Sequence, residues 1–208
     1  MNSAQAIVLF GDVATSRRAA ARASRWLRAL TSELDERYAG ERLARFGFTQ
    51  GDELQGLLAR GSDPFEAIIA AALHPETMEM RWAVSVGAVD AGTGPATERT
   101  GAAFLAAREA ITRARRQRDG LVVVTGDPAA DTLLADVAPL FMILLDELTD
   151  RQREIARLIL VDGLRQADVA ERLSIARPTV SVAVERARIR EIDRLHHALR
   201  TLVGTEPS

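Results

Sequence analysis

The chain has 208 residues and a formal net charge of −2, with 47% hydrophobic and 27% charged residues, a composition typical of a globular protein with a substantial core. It contains no cysteine and no lysine, which excludes disulfides, thiolate nucleophiles, cysteine-based metal sites and catalytic lysines. From Thr149 onward there are 11 arginines against 9 acidic residues, whereas the preceding part has 16 against 20, so a mildly basic segment follows an acidic body. No uninterrupted apolar run is as long as a membrane helix, and we expect a cytoplasmic protein with no membrane partner.

Alternating strand and helix patterns cover the first part of the chain. Short apolar runs predict strands, and apolar stripes with helical spacing predict helices. The predicted strands are 6–10, 43–49, 54–59, 81–89 and 121–125, and the predicted helices are 16–39, 64–73 and 101–116. The resulting order, β-α-β-β-α-β-α-β, predicts an α+β fold in which helices pack on one sheet.

A strongly apolar helix is predicted over 131–148, and it is interpreted as a connector, a dimer contact, or both. Pro139 lies inside it and predicts a kink or a break, because proline lacks the backbone N–H that an inner helical residue donates. These patterns divide the chain into an N-terminal domain over 1–128, a connector over 129–148 and an all-α domain over 149–208.

Three short helices are predicted after the connector. Thr149 to Gln152 form a capping box that opens the first helix, which ends at Asp162-Gly163. The second helix covers 166–173, a turn covers 174–176, and the third helix covers 178–190, with Pro178 in its first turn. Apolar residues fall where a helix-turn-helix needs contacts between its helices: Val169, Ala170, Leu173, Ile175 and Val180.

The third helix is interpreted as the recognition helix of a DNA-binding module. Arg177 is suited to a guanine or a phosphate, hydroxyl side chains are suited to bases or phosphates, and later arginines are suited to the flanking backbone. The predicted contacts are Arg177, Pro178, Thr179, Ser181, Val182, Glu185, Arg186 and Arg188.

Residues 149–190 resemble the helix-turn-helix of sigma-factor region 4 and of LuxR-type regulators. This resemblance implies double-stranded DNA as a partner, and a homodimer is expected because a single small module contacts few phosphates. One departure is Ser174, where the family usually has glycine. The alternative interpretation is a three-helix bundle that serves only in association.

Two acidic turns stand out in the N-terminal domain. Asp12 ends the first strand in Phe10-Gly11-Asp12, and Asp52 and Glu53 follow Gly51 in the first hairpin. In a β-α-β-β sheet these turns can meet at one edge. Carboxylates are ligands that Mg²⁺ accepts together with phosphate oxygens, so Asp12, Asp52 and Glu53 are the predicted metal ligands.

Residues 6 to about 125 resemble the SatD family, whose blocks match in order: FGDVATSRR, FTQGDELQGLL, MRWAVSVGAV and GAAFLAAREAI. That family often carries a C-terminal helix-turn-helix. More distantly, the same blocks resemble the ferredoxin-type palm of class III nucleotide cyclases and GGDEF domains. This second resemblance implies that Asp12 and Asp52 match acids that hold two metal ions.

The departures from the cyclase pattern imply that cyclisation is lost. Phe48 stands where cyclases have a purine-reading lysine, and Phe104 stands where they have a transition-state asparagine, although Arg108 matches their helix arginine. Removal of one such donor lowers a rate by roughly 10² to 10³. Binding of a nucleotide or phosphate is expected to survive, with these predicted contacts: Ser16, Arg17, Gly51, Gln55 and Arg108.

Three functions remain open at this point. The first is a transcriptional regulator whose N-terminal domain senses a nucleotide or phosphate, with Mg²⁺ as a candidate cofactor. The second is a metal-dependent nucleotidyl cyclase, nucleotidyl transferase or phosphohydrolase tethered to DNA. The third is a constitutive DNA-binding protein whose N-terminal domain is a dimerisation scaffold.

Overall fold

The computed structural model describes residues 4–14, 20–49, 52–117 and 120–205. The N-terminal elements follow the predicted order β-α-β-β-α-β-α-β. Their bounds are β1 (Ala4–Val13), α1 (Ala20–Arg37), β2 (Arg42–Phe48), β3 (Glu53–Ala59), α2 (Phe65–Ala72), β4 (Met80–Val89), α3 (Ala102–Gln117) and β5 (Leu121–Val124). The predicted α+β class is confirmed, since a five-stranded sheet precedes a helical C-terminal region.

The five strands lie in the order β2-β3-β1-β4-β5, with β4 and β5 parallel and the other pairs antiparallel. Strand β1 is central and is buried from Ala6 to Val13, which explains its nearly continuous apolar run. Its side chains alternate between two cores: Ile7 and Leu9 belong to the core that includes α1 and α2, whereas Val8 and Phe10 belong to the core beneath α3.

The C-terminal region is wholly helical in the part that the structure describes. Its helices are α4 (Pro128–Asp146), α5 (Asp150–Ala156), α6 (Gln166–Arg172), α7 (Arg177–Arg186) and α8 (Ile189–Val203), with a π-helical turn at Arg157–Val161 after α5. The predicted capping box is present, since the Gln152 backbone N–H donates to Thr149 Oγ1 and the Thr149 backbone N–H donates to Gln152 Oε1.

Two predicted helices have different bounds in the structure. The third helix of the module was predicted over 178–190, but α7 ends at Arg186 because Arg188 has a φ of 53° in the left-handed region and separates α7 from α8. Helix α4 begins at Pro128, where the Asp127 side chain accepts the Ala129 N–H, and it continues through Pro139 without a break.

Helix α4 has the length and apolar composition of a membrane span, as no other described helix has. A core helix passes the same test, and one side of α4 is buried in this fold. Leu134, Phe141 and Leu145 are fully buried, and α4 contacts β5, α2 and α8.

Polar contacts centred on Asp63 join the sheet domain to α8. Asp63 Oδ2 lies 2.7 Å from His196 Nε2 and 2.9 Å from Arg200 Nε, and the second contact is an ion pair without hydrogen-bond alignment. Asp63 Oδ1 accepts the Phe65 N–H that begins α2. The apolar core on this side of the sheet continues into the C-terminal helices, so the two regions are packed together.

Candidate nucleic-acid interface and paired acidic cluster

Helices α6 and α7 form a helix-turn-helix. The predicted apolar contacts Val169, Ala170 and Val180 are buried, and the Ile175 N–H donates to the Ala170 carbonyl at 2.9 Å to close the turn. Ser174 has a φ of 52°, the left-handed conformation that explains why glycine is usual at this position. The small Ala170 side chain permits close approach of the two helices.

The outer side of α7 is open to solvent. All eight predicted DNA contacts are exposed, and we call them the recognition face: Arg177, Pro178, Thr179, Ser181, Val182, Glu185, Arg186 and Arg188. Val180 and Val184, on the opposite side, are buried against the rest of the module.

Three charged side chains of the recognition face have no partner in the part of the chain that the structure describes. Among the described residues, Arg177, Glu185 and Arg186 form no side-chain ion pair or hydrogen bond within the chain. Val182 is 46% exposed although it is apolar, and it lies between these charges. An exposed helix side with free arginine, carboxylate, hydroxyl and apolar groups has the chemistry that reads base edges in the major groove.

In the N-terminal domain, the two acidic turns do lie together. Asp12 and Glu53 are cross-strand partners on β1 and β3, and the Val13 N–H donates to the Asp52 carbonyl at 3.0 Å. Asp12 and Glu53 are only 7% and 5% exposed. We call Asp12, Asp52 and Glu53 the acidic cluster.

Two arginines from α3 lie against the acidic cluster. Arg115 donates from Nε to Asp12 Oδ2 at 2.9 Å and from Nη2 to Asp12 Oδ1 at 2.7 Å, and its Nη2 is also 3.4 Å from Glu53 Oε2. Arg108 Nη1 lies 2.7 Å from both oxygens of Glu53. Each buried carboxylate therefore has a guanidinium partner, and the Asp12–Arg115 pair is bidentate.

Other predicted ligand-binding residues take part in the same packing. Gln55 Nε2 donates to Glu53 Oε1 at 2.8 Å, and the Arg108 guanidinium lies 4.8 Å from the centre of the Phe10 ring. Phe104 packs against Phe10 with ring centres 6.0 Å apart, so it takes part in the apolar core beneath α3. Ser16, Arg17 and Gly51 lie outside the described residues.

The electrostatics of the cluster follow from this pairing. Burial raises the pKa of Asp52, Asp12 adds to the increase, and Arg115 opposes it. The hydrogen bond to Asp12 raises the pKa of Arg115, which keeps its guanidinium charged.

This arrangement does not fit a magnesium ion. Mg²⁺ takes six oxygen ligands in near-octahedral geometry, whereas both oxygens of Asp12 and both oxygens of Glu53 contact guanidinium nitrogens. Within the described ranges, no group of three or more histidine, aspartate or glutamate side chains is arranged to hold a metal.

Sequence reasoning missed several residues that shape these sites. Arg115 lies seven positions after Arg108, a spacing that places both on one side of a helix and could have indicated its role. The contacts of Asp63 with His196 and Arg200 join residues far apart in the chain, and no local pattern indicates them.

Comparisons with known proteins find a match for each of the two parts of the chain. The geometry is that of a sheet domain joined to a helix-turn-helix, and a model of the SatD family matches residues 6–128, more than half of the chain. The protein therefore belongs to the SatD family. A model of sigma-70, region 4 matches residues 141–190, which include α5, α6 and α7.

A search of solved structures finds similarity to a protein described as "Regulator of Polyketide Synthase Expression" from Bifidobacterium adolescentis. Identity is 17%, the match covers 98% of this chain and 80% of the other, and the TM-score is 0.28, too low to indicate a shared fold or function. Comparison with curated proteins gives no significant match.

Proposed function

We propose that this SatD family protein is a DNA-binding transcriptional regulator and that α7 lies in the major groove of its site. The observation that carries the proposal is the recognition face, which is exposed and has no side-chain partner in the described part of the chain, on a helix whose opposite side is buried. The match to sigma-70, region 4 supports it over a bundle used only for association.

Roles within the interface follow from position. Arg177 begins α7, so its side chain can reach a guanine edge or a phosphate, and Val182 in the middle of the face is suited to a thymine methyl group. Arg186, Arg188 and Arg190 are exposed at the end of α7 and the start of α8, where they can contact the phosphate backbone.

A homodimer completes the proposal. One module with a few arginines makes few phosphate contacts, and two copies on paired half-sites would gain both affinity and sequence selectivity. The packing of α8 against α4 and α2 supports a fixed placement of each module relative to its sheet.

Full-length protein can be tested by selecting duplexes from a random pool and measuring affinity for the selected site at fixed salt. Arg177→Ala is expected to weaken specific binding by about 1–3 kcal/mol, roughly 5- to 150-fold, while unfolding is unchanged. Arg25→Ala is the matched control, because Arg25 is exposed on α1 and the substitution removes the same charge. Equal effects of the two substitutions, or no sequence preference, would contradict the proposal.

Nucleotide or phosphate binding by the N-terminal domain stays a prediction. Two of its predicted contacts, Gln55 and Arg108, already contact Glu53, so a phosphate would have to compete for Arg108. The Arg108 side chain is 54% exposed, which leaves it accessible. Thermal stabilisation by a nucleoside triphosphate without turnover would support a sensor, whereas turnover lost in Asp12→Asn would indicate an enzyme.

A further inference from the structure

We propose that the guanidinium groups of Arg115 and Arg108 replace divalent cations at the acidic cluster, so that the N-terminal domain of this protein is metal-independent. This inference concerns the sheet domain alone and does not rest on DNA binding. Two buried carboxylates from neighbouring strands, with a third beside them, need compensating positive charge, and the chain supplies it from α3.

The position of Arg115 is the first argument. Its Nη2 lies 2.7 Å from Asp12 Oδ1 and 3.4 Å from Glu53 Oε2, so one nitrogen bridges the carboxylates of two strands. A bridging cation would occupy the same space between these oxygens. Because Nε of Arg115 also donates to the second oxygen of Asp12, a metal could enter only by breaking a bidentate pair.

Arg108 completes the replacement on Glu53. Its Nη1 lies 2.7 Å from both carboxylate oxygens, and Gln55 Nε2 adds a contact of 2.8 Å to one of them. All the carboxylate oxygens of Asp12 and Glu53 are therefore engaged by nitrogen donors. Arginine stays protonated in proteins, so this compensation does not depend on cation concentration.

The packing of α3 holds both arginines in reach. Ala103, Ala107, Ala110 and Ala114 recur at helical spacing and are buried toward the sheet. Small side chains along this line let the helix approach the strands closely, so the long arginine side chains reach the edge where the acids lie. Sequence and packing thus both direct positive charge to the acidic cluster.

Thermal unfolding of the full-length protein in MgCl₂, MnCl₂ and NaCl of matched ionic strength tests the proposal. The wild type is expected to show no stabilisation by either divalent cation beyond the NaCl control, and no change with EDTA. Arg115→Met, which keeps an apolar stem of similar length, is expected to lower Tm by about 5 °C and to recover part of that loss in Mn²⁺ or Mg²⁺. Arg113→Met is the matched control, because Arg113 is exposed on the same helix.

A double variant separates metal binding from general stabilisation. Asp12→Asn combined with Arg115→Met removes both members of the pair, so it is expected to lose the cation response of the single variant. Saturable Mn²⁺ binding to the wild type, or an Arg115→Met protein that gains no cation response, would overturn the proposal. If Arg115→Met does not fold, an Mn²⁺ titration of the wild type followed by electron paramagnetic resonance decides: bound Mn²⁺ overturns the proposal and its absence supports it.

Discussion

Arginine has opposite environments at the acidic cluster of the sheet domain and on the recognition face of α7. In the sheet domain, Arg108 and Arg115 lie within hydrogen-bond distance of the buried carboxylates of Glu53 and Asp12. On α7, Arg177 and Arg186 are exposed and have no partner among the described residues. The guanidinium groups at the acidic cluster therefore stabilise the fold. Those on α7 remain available to bind an external anion.

At the junction between the two halves of the protein, arginines are again paired with acidic side chains, as Arg108 and Arg115 are. Arg157 Nη2 donates to Glu33 Oε1 at 2.8 Å, and Arg200 and His196 both contact Asp63. These contacts cross from the C-terminal helices to the sheet domain, and the core beneath them is continuous. The module that carries the recognition face is therefore held against the sheet domain by paired charges.

Loss of Asp63 is expected to have the largest effect on this comparison. Asp63→Ala removes the contacts to His196 and Arg200 and the acceptor at the start of α2, and it leaves a partly buried arginine without its partner. We expect unfolding free energy to fall by about 3–5 kcal/mol in urea titrations. Asp63→Asn keeps the acceptor for the Phe65 N–H but removes the charge, so its loss should be smaller yet clear; no loss in Asp63→Asn would mean that charge at the junction is unimportant.

Arg108→Ala sharpens the contrast with Arg177→Ala. Arg108 is half-exposed, and its pairing with Glu53 is partly screened, so a loss of about 1 kcal/mol of unfolding free energy is expected. DNA affinity should be unchanged, whereas Arg177→Ala should change affinity and leave stability intact. Chemical denaturation and DNA titration of both variants form the test, and a loss of DNA affinity in Arg108→Ala would break the distinction.

Ser174→Gly tests the turn that positions α7. Ser174 has a φ of 52°, and an L-residue there carries strain that glycine avoids, while glycine adds entropy to the unfolded chain. The net expectation is a gain of about 0.5 kcal/mol in unfolding free energy with DNA affinity retained. The midpoint of urea unfolding measures this change, and a clear loss of stability would show that the serine side chain is needed in the turn.

Asp52→Asn is expected to raise the free energy of unfolding slightly. Loss of an acid that is paired with an arginine has the opposite effect. The pKa of Asp52 is raised in the fold, so its charged form is disfavoured there relative to the unfolded chain. The substitution should therefore stabilise the protein above the folded-state pKa, and the gain should vanish as pH falls below the unfolded value. Unfolding measured across acidic and neutral pH tests this, and destabilisation at neutral pH would indicate that Asp52 has an attractive partner.

Local patterns were sufficient for much of this architecture. Short apolar runs and apolar alternation predicted each strand of the sheet in order, and the capping box at Thr149 predicted the start of α5. The outward side of α7 followed from helical spacing, because Val180 was predicted to contact the other helices and is buried. These features depend on residues that are neighbours in the chain.

Features set by distant contacts or by unusual backbone were missed. Arg188 adopts a left-handed conformation that arginine rarely takes, so α7 was predicted four residues too long. The pairing of Arg115 with Asp12 spans 103 positions, and only the assembled sheet brings the two together. The prediction of metal ligands at the acidic cluster was made from the acids alone and stays a prediction; the contacts of Arg108 and Arg115 with these acids were not predicted.

Methylation interference on a selected duplex tests the major-groove placement of α7 most directly. Dimethyl sulfate modifies guanine N7 in the major groove and adenine N3 in the minor groove, so the two grooves are read in one experiment. We predict that guanine N7 methylation within the site blocks binding of the wild type and that one such position loses its effect in Arg177→Ala. Interference confined to adenine N3, or binding indifferent to methylation at every position, would contradict the placement of α7 in the major groove.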